Sequence, residues 1–150
     1  MSKEQVNVTI DSNEAAQNPE MTEIFVLHKE VEDYEITTLN EGDILIEDCL
    51  FERKEPSDFA SSLQEGRLKE QVERLGGRDK HSFILVEGDM KDFENLQHTQ
   101  MPATSLRGMT ASIIARNKIP VVFCSEPQTL ADMSVRIARK TVEDPEGVQT

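Results

Sequence analysis

Short runs of β-branched and aromatic residues, separated by polar turns, dominate the first third of the chain. Such runs predict strands, whereas an apolar residue every three or four positions predicts a helix. The predicted strands cover residues 6–10, 34–39, 43–47 and 49–54, a helix covers 21–29, and a loop covers 13–20. The last two strands are expected to form a hairpin, so the first half should be rich in β-hairpins.

The rest of the chain alternates longer helices with short apolar strands. A helix is predicted over 59–75, capped by Ser57 or Asp58 and closed by Gly76 and Gly77. It is followed by a strand over 82–87, a helix over 101–117, a strand over 120–124 and a helix over 127–140. This order predicts an α/β fold with three layers, in which helices flank a central mixed β-sheet.

Residues at helical spacing fall on one side of each predicted helix, and the side of the last helix is expected to be core or dimer interface. These faces hold Ile24, Leu27 and His28 in the first helix, Leu106, Met109, Thr110, Ile113 and Ile114 in the helix over 101–117, and Leu130, Met133, Ser134, Ile137 and Ala138 in the last helix. The length of 150 residues suits one domain with its own core. We expect that domain to cover residues 6–141, with residues 142–150 as a flexible tail.

The charge is unevenly distributed along the chain. The net charge is −13, with −11 in residues 1–50, −3 in residues 51–100 and +1 in residues 101–150. Such an acidic balance makes nucleic acid a surprising partner at first sight. However, the cations gather after residue 52, so a local basic surface is possible. An acidic surface also fits a high-salt cytoplasm, where charges are strongly screened.

The cysteines and the hydropathy of the chain indicate the cellular compartment in which the protein is expected. Cys49 and Cys124 lie in apolar runs outside any CxxC pair, which predicts two reduced core thiols. No apolar stretch approaches the roughly 20 residues of a membrane span, and the N-terminus lacks the apolar segment of a signal peptide. We therefore expect a soluble, intracellular, cytoplasmic protein with no membrane partner.

Acidic and basic residues interrupt the apolar strand over 49–54. Because side chains alternate along a strand, Glu52 and Lys54 point the same way and Arg53 points the opposite way. Asp43, at the start of the preceding strand, can bring a second carboxylate to the same end. Two carboxylates beside a lysine suit Mg²⁺ or Mn²⁺, although a solvated hairpin edge would show the same residues.

These residues are part of a longer pattern. The letters GD, ERK and D, at positions 42–43, 52–54 and 58, resemble the signature of the XPF-type structure-specific endonucleases, which include the archaeal Hef nucleases. DFASSLQEGRLKEQVERL resembles a helix of that family, ILVEGD the strand that follows it, and SLRGMTASIIARNKIPVVFCSEPQTLADMSVRIAR its C-terminal segment. The resemblance runs in order from about residue 8 to residue 139.

The resemblance implies a set of functional residues. The implied catalytic residues are Asp43, Glu52, Arg53, Lys54 and Asp58. The implied metal ligands are Asp11, Glu14, Asp43, Glu52 and Asp58. The implied DNA-binding residues are Arg53, Arg67 and Gln71. The family's Asp-x-Arg-Glu motif corresponds to Asp11-Ser12-Asn13-Glu14, where Asn13 replaces the arginine and leaves any contact of that arginine in doubt.

Structural interpretations remain open for several of these residues. Asp58 could serve only as an N-cap. Arg53 could pair with a structural carboxylate such as Asp11 or Glu14, and Arg67 could be an ordinary surface cation. Glu87, at the end of a buried strand, could join the site. The three histidines, His28, His81 and His98, have no metal-ligand spacing and are expected to be ordinary.

The resemblance also implies an activity and partners. It implies a restriction-endonuclease-like fold and cleavage of DNA, dependent on Mg²⁺ or Mn²⁺, near flaps, forks or other branch points, as in DNA repair or recombination. It implies a homodimer through the C-terminal half, to which Leu106, Ile113, Leu130 and Ile137 would contribute apolar surface. Helix-hairpin-helix modules or a helicase are possible partners. The alternatives are a non-catalytic DNA-binding subunit that dimerises with an active nuclease, and a nuclease of this fold that acts on junctions or RNA.

Overall fold

The structure, a computed structural model, describes residues 5–76, 81–96 and 101–143. It contains the elements β1 (Val6–Asp11), α1 (Ser12–Gln17), α2 (Pro19–Leu27), β2 (Val31–Thr37), β3 (Ile44–Ile46), β4 (Cys49–Lys54), α3 (Pro56–Glu65), α4 (Arg67–Gly76), β5 (His81–Val86), a 3₁₀ helix (Met90–Asn95), α5 (Ala103–Arg116), β6 (Val121–Phe123) and α6 (Pro127–Glu143). The chain forms two compact units. The first comprises Met1–Glu52 and Pro127–Thr150, and the second comprises Arg53–Glu126.

The first unit contains a mixed sheet with the strand order β2-β1-β3-β4. β1 pairs with β2 in parallel and with β3 antiparallel, and β3 pairs antiparallel with β4. The β3–β4 hairpin predicted from the sequence is therefore confirmed. The expectation of a hairpin-rich first half is wrong, because the parallel pairing of β1 and β2 requires a crossover, which α1 and α2 supply.

The crossover begins where a loop was predicted over residues 13–20. The Asp11 side chain accepts a hydrogen bond from the Asn13 N–H and thereby caps α1. Pro19 then opens α2 at a position where its missing N–H costs no helical hydrogen bond. The polar residues that suggested a loop are therefore the cap and first turns of two short helices.

The core of the first unit lies between the sheet and its helices. β1 and β3 bury their alternate residues, including Ile10 and Ile44. From α2 come Met21 and Phe25, whereas Leu27, on the side of the helix that the sequence pattern singles out, is 72% exposed. The α6 residues that are fully buried are Leu130, Ala131, Ser134, Val135 and Ala138. Met133, which belongs to the same predicted stripe, is exposed.

The second unit is organised around β5 and β6, which pair in parallel. The Glu87 N–H, just after β5, donates to the Lys54 carbonyl at the end of β4 over 2.9 Å. Phe59, Phe93 and Phe123 form an aromatic cluster with ring centroids 5.9–6.3 Å apart. This cluster fixes α3 and the 3₁₀ helix against β6, which accounts for the burial of Phe59 and Phe93.

The helix predicted over 59–75 consists of two helices. Gly66 adopts φ 78° at the C-cap of α3, and this left-handed conformation ends the helix before α4 begins. The N-cap of α3 is Glu55, followed by Pro56, so the prediction of Ser57 or Asp58 as the cap is wrong. Gly77, the second part of the predicted stop, lies outside the described residues.

An ion pair joins the end of β4 to the residue after β5. Nε and Nη2 of Arg53 donate to Oε1 of Glu87 over 3.0 and 2.7 Å. The two side chains are only 12% and 19% exposed. Because a charge that is largely withdrawn from water needs a partner, this pair holds the two strand ends together.

The fold class predicted from the sequence, an α/β fold with a central mixed sheet and flanking helices, is confirmed. In α5 the predicted face holds Leu106, Thr110 and Ile113, which are buried, and Ile114, which is 44% exposed. Val142 and Glu143 belong to α6, and the rest of the predicted tail lies outside the described residues. Within the described part of the chain, no helix is both long enough and apolar enough to span a membrane.

Gly42 and Gly66 offer a matched test of the turn before β3. Both have positive φ, at 76° and 78°. A Cβ at Gly42 would lie 2.5 Å from Cδ1 of the buried Leu50, whereas a Cβ at Gly66 would meet no atom within 4 Å. We expect Gly42→Ala to lower the free energy of unfolding by about 2–4 kcal/mol, and Gly66→Ala by about 1 kcal/mol, in urea denaturation. Equal losses of unfolding free energy in the two variants would mean that the Leu50 side chain makes room for the added Cβ without a cost in free energy.

The contribution of the Arg53–Glu87 pair can be measured against an exposed pair. Glu87→Gln removes the charge of the carboxylate nearest the largely buried guanidinium and leaves the Glu55 carboxylate, 3.9 Å from Nη2 of Arg53, as a charged neighbour. We expect the free energy of unfolding to fall by about 1–3 kcal/mol. Glu65→Gln alters the Arg67–Glu65 pair, whose side chains are both more than half exposed, and should cost less than about 0.5 kcal/mol. Losses of the same size in urea denaturation would contradict a structural role for Arg53–Glu87.

Candidate active site at the strand ends

Two main-chain hydrogen bonds bring the ends of β1, β3 and β4 together in the first unit. The Asp11 N–H donates to the Asp43 carbonyl over 2.8 Å, and the Asp43 N–H donates to the Phe51 carbonyl over 2.9 Å. Asp11 and Asp43 are therefore neighbours across two strand ends. Glu52 follows Phe51 directly in β4, so three of the predicted metal ligands share this edge of the sheet.

The carboxylates at this edge are largely withdrawn from solvent. Asp11 is 8% exposed and Glu52 is 7% exposed, and Asp43 is half-buried. Buried carboxylates require hydrogen bonds or cations to compensate for lost hydration. Among the described residues no fully buried side-chain nitrogen or oxygen lacks a hydrogen-bond partner.

Asp11 has a structural role in addition to any functional one. Its Oδ2 accepts from the Asn13 N–H over 3.1 Å, and its Oδ1 accepts from the Leu39 N–H over 2.9 Å. These bonds cap α1 and fix the segment that follows β2. A carboxylate has about four lone-pair sites, so two accepted hydrogen bonds leave capacity for a cation.

Glu14 and Asn13 complete the motif that follows β1. Glu14 is buried in α1, and its Oε2 accepts from Nδ2 of Asn18 over 3.1 Å. Asn13, which stands in place of the motif's arginine, is exposed. Its backbone N–H supplies the Asp11 cap. The substitution therefore leaves the cap intact, because the cap uses the main chain of residue 13.

The remaining predicted site residues lie in the second unit. Lys54 ends β4 and is half-buried. Arg53, for which a partner such as Asp11 or Glu14 was considered, pairs with Glu87. Asp58 is exposed in the first turn of α3. Arg67, 63% exposed, opens α4 beside Glu65, and Gln71 lies one turn further along the same helix.

Among the residues that the structure describes, one group that no sequence pattern indicates could hold a metal ion. His28, Glu30 and Asp132 each offer a ligand atom, and these three atoms lie within 4.8 Å of one another. No motif links them, because His28 and Asp132 are separated by 104 positions. His28 was expected to be an ordinary histidine, and no spacing in the sequence indicates otherwise.

The hydrogen bonds of His28 favour an ion-pair network over a metal site. Nδ1 accepts from the Glu30 N–H over 3.0 Å, so the ring proton is on Nε2, 2.9 Å from Oδ1 of Asp132. A metal on Nε2 would displace that proton to Nδ1 and break the bond to Glu30. Glu30 and Asp132 also pair with Arg139 and Arg136.

The charge state of Asp132 follows from these contacts. The hydrogen bond from the Arg136 guanidinium, together with that from His28, holds the pKa of the Asp132 carboxyl below its usual value. A carboxylate whose pKa is lowered on folding stabilises the fold above its unfolded pKa, and this contribution is lost as the pH falls through the folded pKa. Asp132 is therefore ionised at neutral pH.

Comparison with known proteins identifies the family and several relatives of the chain. The model of the ERCC4 domain family matches residues 10–137. A Methanocaldococcus jannaschii protein that carries the name ATP-dependent RNA helicase MJ1505 is 33% identical over 107 residues, which cover 71% of this chain and 13% of that protein. The chain thus spans about an eighth of the length of this relative.

Solved structures show the same fold. XPF from Aeropyrum pernix matches with a TM-score of 0.75 and 27% identity, over 92% of this chain and 66% of that one. The same protein in complex with DNA matches with a TM-score of 0.72 and 26% identity, over 97% of this chain and 69% of that one. Because the family model covers most of the chain, the protein belongs to the ERCC4 domain family and contains an XPF/Hef-type nuclease domain.

Proposed function

We propose that this protein is a metal-dependent endonuclease that hydrolyses phosphodiester bonds near branch points in DNA, such as flaps and forks. One observation carries the proposal. Main-chain hydrogen bonds between the strand ends place Asp11 beside Asp43, and Glu52 is buried in the adjoining strand. Membership of a structure-specific nuclease family supports it. The Aeropyrum pernix relative in complex with DNA supports DNA as the substrate.

The donor set suits Mg²⁺ or Mn²⁺. Asp43 and Glu52, with Asp11, offer carboxylate oxygens, which are the ligands that these hard cations prefer. Burial of Asp11 and Glu52 increases the benefit of a cation, because partly desolvated carboxylates repel one another. We propose that Asp43 and Glu52 hold the ion and that Asp11 and Glu14 support it. Asp58 is proposed as an outer contact, because it is exposed.

The proposed chemistry divides between the ion and the side chains of this chain. A bound divalent cation would orient a water and neutralise charge on the scissile phosphate. Lys54 follows Glu52 by two positions in β4, so the two side chains leave the strand on the same face. Its ammonium group would stabilise the negative charge that develops on the phosphate in the transition state.

Arg53 is proposed as a positioning residue. Its guanidinium donates twice to Glu87 and its side chain is only 12% exposed, which leaves little surface for a DNA phosphate. The Arg53–Glu87 pair holds the end of β4 in place. It therefore also fixes the backbone position of the neighbouring Lys54. The proposed DNA contacts are instead Arg67 and Gln71 on α4, where Arg67 is exposed.

The distribution of charge reconciles an acidic protein with a DNA substrate. The second unit has 11 lysines and arginines and 11 aspartates and glutamates, a net charge of zero. The first unit has 5 lysines and arginines and 18 aspartates and glutamates, a net charge of −13. DNA can therefore approach cations of the second unit without meeting a net negative charge there. Binding should be weak, since few phosphates are neutralised, and should weaken further as the salt concentration rises.

A homodimer is proposed as the working assembly, on the basis of the family resemblance. The residues that motivated it are mostly buried within the chain itself, namely Leu106, Ile113 and Leu130. The large apolar residues of the described parts of these two helices that remain exposed are Ile114 on α5 and Met133 on α6, at 44% and 39%. β6 is only half-buried as well. These surfaces are the proposed contacts of the dimer.

We expect Asp43→Asn and Glu52→Gln each to lower the rate of cleavage about a hundredfold or more. Each change removes one charged ligand while keeping the shape of the side chain. The assay is single-turnover cleavage of labelled flap and fork DNA with Mg²⁺ or Mn²⁺, and EDTA should abolish it.

Two exposed carboxylates provide the control. Asp33→Asn and Glu35→Gln in β2 remove the same charge at solvent-exposed positions and should leave the rate within about twofold. Metal-dependent cleavage that persists in both site variants would contradict the assignment. A wild-type protein that binds fork DNA but cuts none of these substrates would favour the non-catalytic subunit.

The dimer predicts an effect of a single charge on α5. We expect the wild-type protein to sediment as a dimer at tens of micromolar, and Ile114→Glu to sediment as a folded monomer, because a two-fold contact repeats each substitution. Ile36→Glu introduces the same charge at a residue of β2 that is 48% exposed, and should leave the dimer intact. A monomeric wild-type protein would contradict the proposal.

A further inference from the structure

A cavity of about 480 Å³ opens between α2 and α6 in the first unit, on elements that the proposed nuclease chemistry does not use. We call it the α2/α6 groove. It is lined by Glu20, Glu23, Ile24, Leu27, His28, Gln128 and Asp132. The α2 residues recur at intervals of three or four positions, so they form one stripe along that helix. Gln128 and Asp132, four positions apart, form the facing stripe on α6.

The floor of the groove is apolar and unusually exposed. α2 already buries Met21 and Phe25 in the core of the first unit. Ile24 and Leu27 therefore form a second apolar stripe on the same helix. Leu27 is 72% exposed, the largest value among the exposed large apolar residues of the described chain. Apolar side chains in a concave surface with a polar rim are typical of a site that another molecule covers.

The rim of the groove is acidic. Neither Glu20 nor Glu23 forms an ion pair within the part of the chain that the structure describes. Both side chains are exposed. No lysine or arginine lines the cavity. The surrounding unit carries the whole net charge of −13, so its field attracts cations toward the groove.

We propose that the α2/α6 groove binds a basic amphipathic helix of a partner protein. Leucine-like side chains of that helix would cover Ile24 and Leu27, and flanking lysines or arginines would pair with Glu20 and Glu23. A helix fits better than an extended strand, because the groove is formed by side chains and exposes no unpaired sheet edge. The α2 stripe runs over eight residues from Glu20 to Leu27, about 10 Å, which matches two turns of a bound helix.

Charge makes the first unit of a second copy a poorer occupant of this groove. That unit carries −13, so it would bring a like charge to the acidic rim. A basic partner avoids that repulsion, and the negative field of the first unit attracts it. The proposal does not depend on cleavage activity, because the groove residues are separate from Asp43, Glu52 and Lys54.

The probe is a fluorescein-labelled peptide about 20 residues long, since shorter peptides form helices poorly in water. It is built from alanine with leucines on one face and lysines beside them. A matched peptide carries glutamate in place of each lysine, and another carries serine in place of each leucine. Affinity for the full-length protein is measured by fluorescence anisotropy at low and moderate salt. Amide NMR spectra of the protein show where the peptide binds.

We expect the lysine–leucine peptide to bind and both matched peptides to bind at least about tenfold more weakly. Leu27→Ser and Glu23→Lys should each lower the affinity about tenfold. The controls are Ile36→Ser and Glu73→Lys, which make the same changes at exposed residues of β2 and α4. Both should leave the affinity within about twofold. Shifts in the NMR spectrum should concentrate on α2 and α6.

Three results would overturn the proposal. The first is the absence of binding by the lysine–leucine peptide. The second is an equal loss in the groove variants and the controls, which would mean general attraction to an acidic protein. The third is a wild-type dimer that Leu27→Ser dissociates without changing the affinity for the peptide, which would make a second copy the occupant. Because all these variants are exposed, unchanged circular dichroism serves as the folding control.

Discussion

The hydrogen bonds that tie Asp11 to Asp43, and Asp43 to Phe51, are the constraint on which the proposed site depends. They fix the register of three strand ends, and in a strand a slip of one residue turns every side chain to the opposite face. With this register, Glu52 is buried beside the paired ends. With the neighbouring register, Arg53 would take its place. The position of each carboxylate is therefore set by main-chain pairing rather than by its own contacts.

The same strand ends explain why the protein can tolerate so many carboxylates among apolar residues. Ile44, Ile46, Leu50 and Phe51 are almost completely buried and hold β3 and β4 in the core. Acidic residues occupy the points where these strands end, and Asp11 satisfies two backbone donors there. Apolar burial supplies the stability, and the strand termini place the charges. The cost of crowding carboxylates is offset in part by hydrogen bonds, and would be offset further by a cation.

The segregation of charge gives the two units different tasks in this account. The first unit, at −13, contains the proposed metal ligands and the α2/α6 groove. The second, with no net charge, contains the lysine and arginine residues proposed to meet DNA. β4 runs from one unit into the other, so Glu52 and Lys54 are two residues apart on one strand although they belong to different units.

Much of the fold could be predicted from the sequence, because its signals are local. Strands such as β5 follow from apolar runs, and the β3–β4 hairpin follows from two such runs in succession. The family resemblance, carried by the residues at positions 42–43, 52–54 and 58, is confirmed by the family model. The parallel pairing of β1 with β2 was missed, because the crossover that it requires includes α1, whose polar residues were predicted to form a loop.

The buried side of α2 and the partners of Arg53 and His28 could not be predicted either, because they depend on contacts between residues far apart in the sequence. α2 carries two apolar stripes, and periodicity cannot tell which of them faces the core; Phe25 is buried, whereas Leu27 is exposed. The partner of Arg53 and the approach of His28 to Asp132 join positions 34 and 104 residues apart. No local pattern encodes such contacts. The assignment of Asp43 and Glu52 as metal ligands rests on residue type and family resemblance, and only a direct measurement of the ion tests it.

That measurement is the binding of Mn²⁺ to the protein without DNA, followed by isothermal titration calorimetry. The account predicts that the wild-type protein binds Mn²⁺, that Glu52→Gln and Asp43→Asn lose this binding, and that Asp132→Asn keeps it. Asp132 is the matched control because it belongs to the His28 group, the other cluster that could hold an ion. Binding that survives in Glu52→Gln and disappears in Asp132→Asn would contradict the account and place the ion at His28.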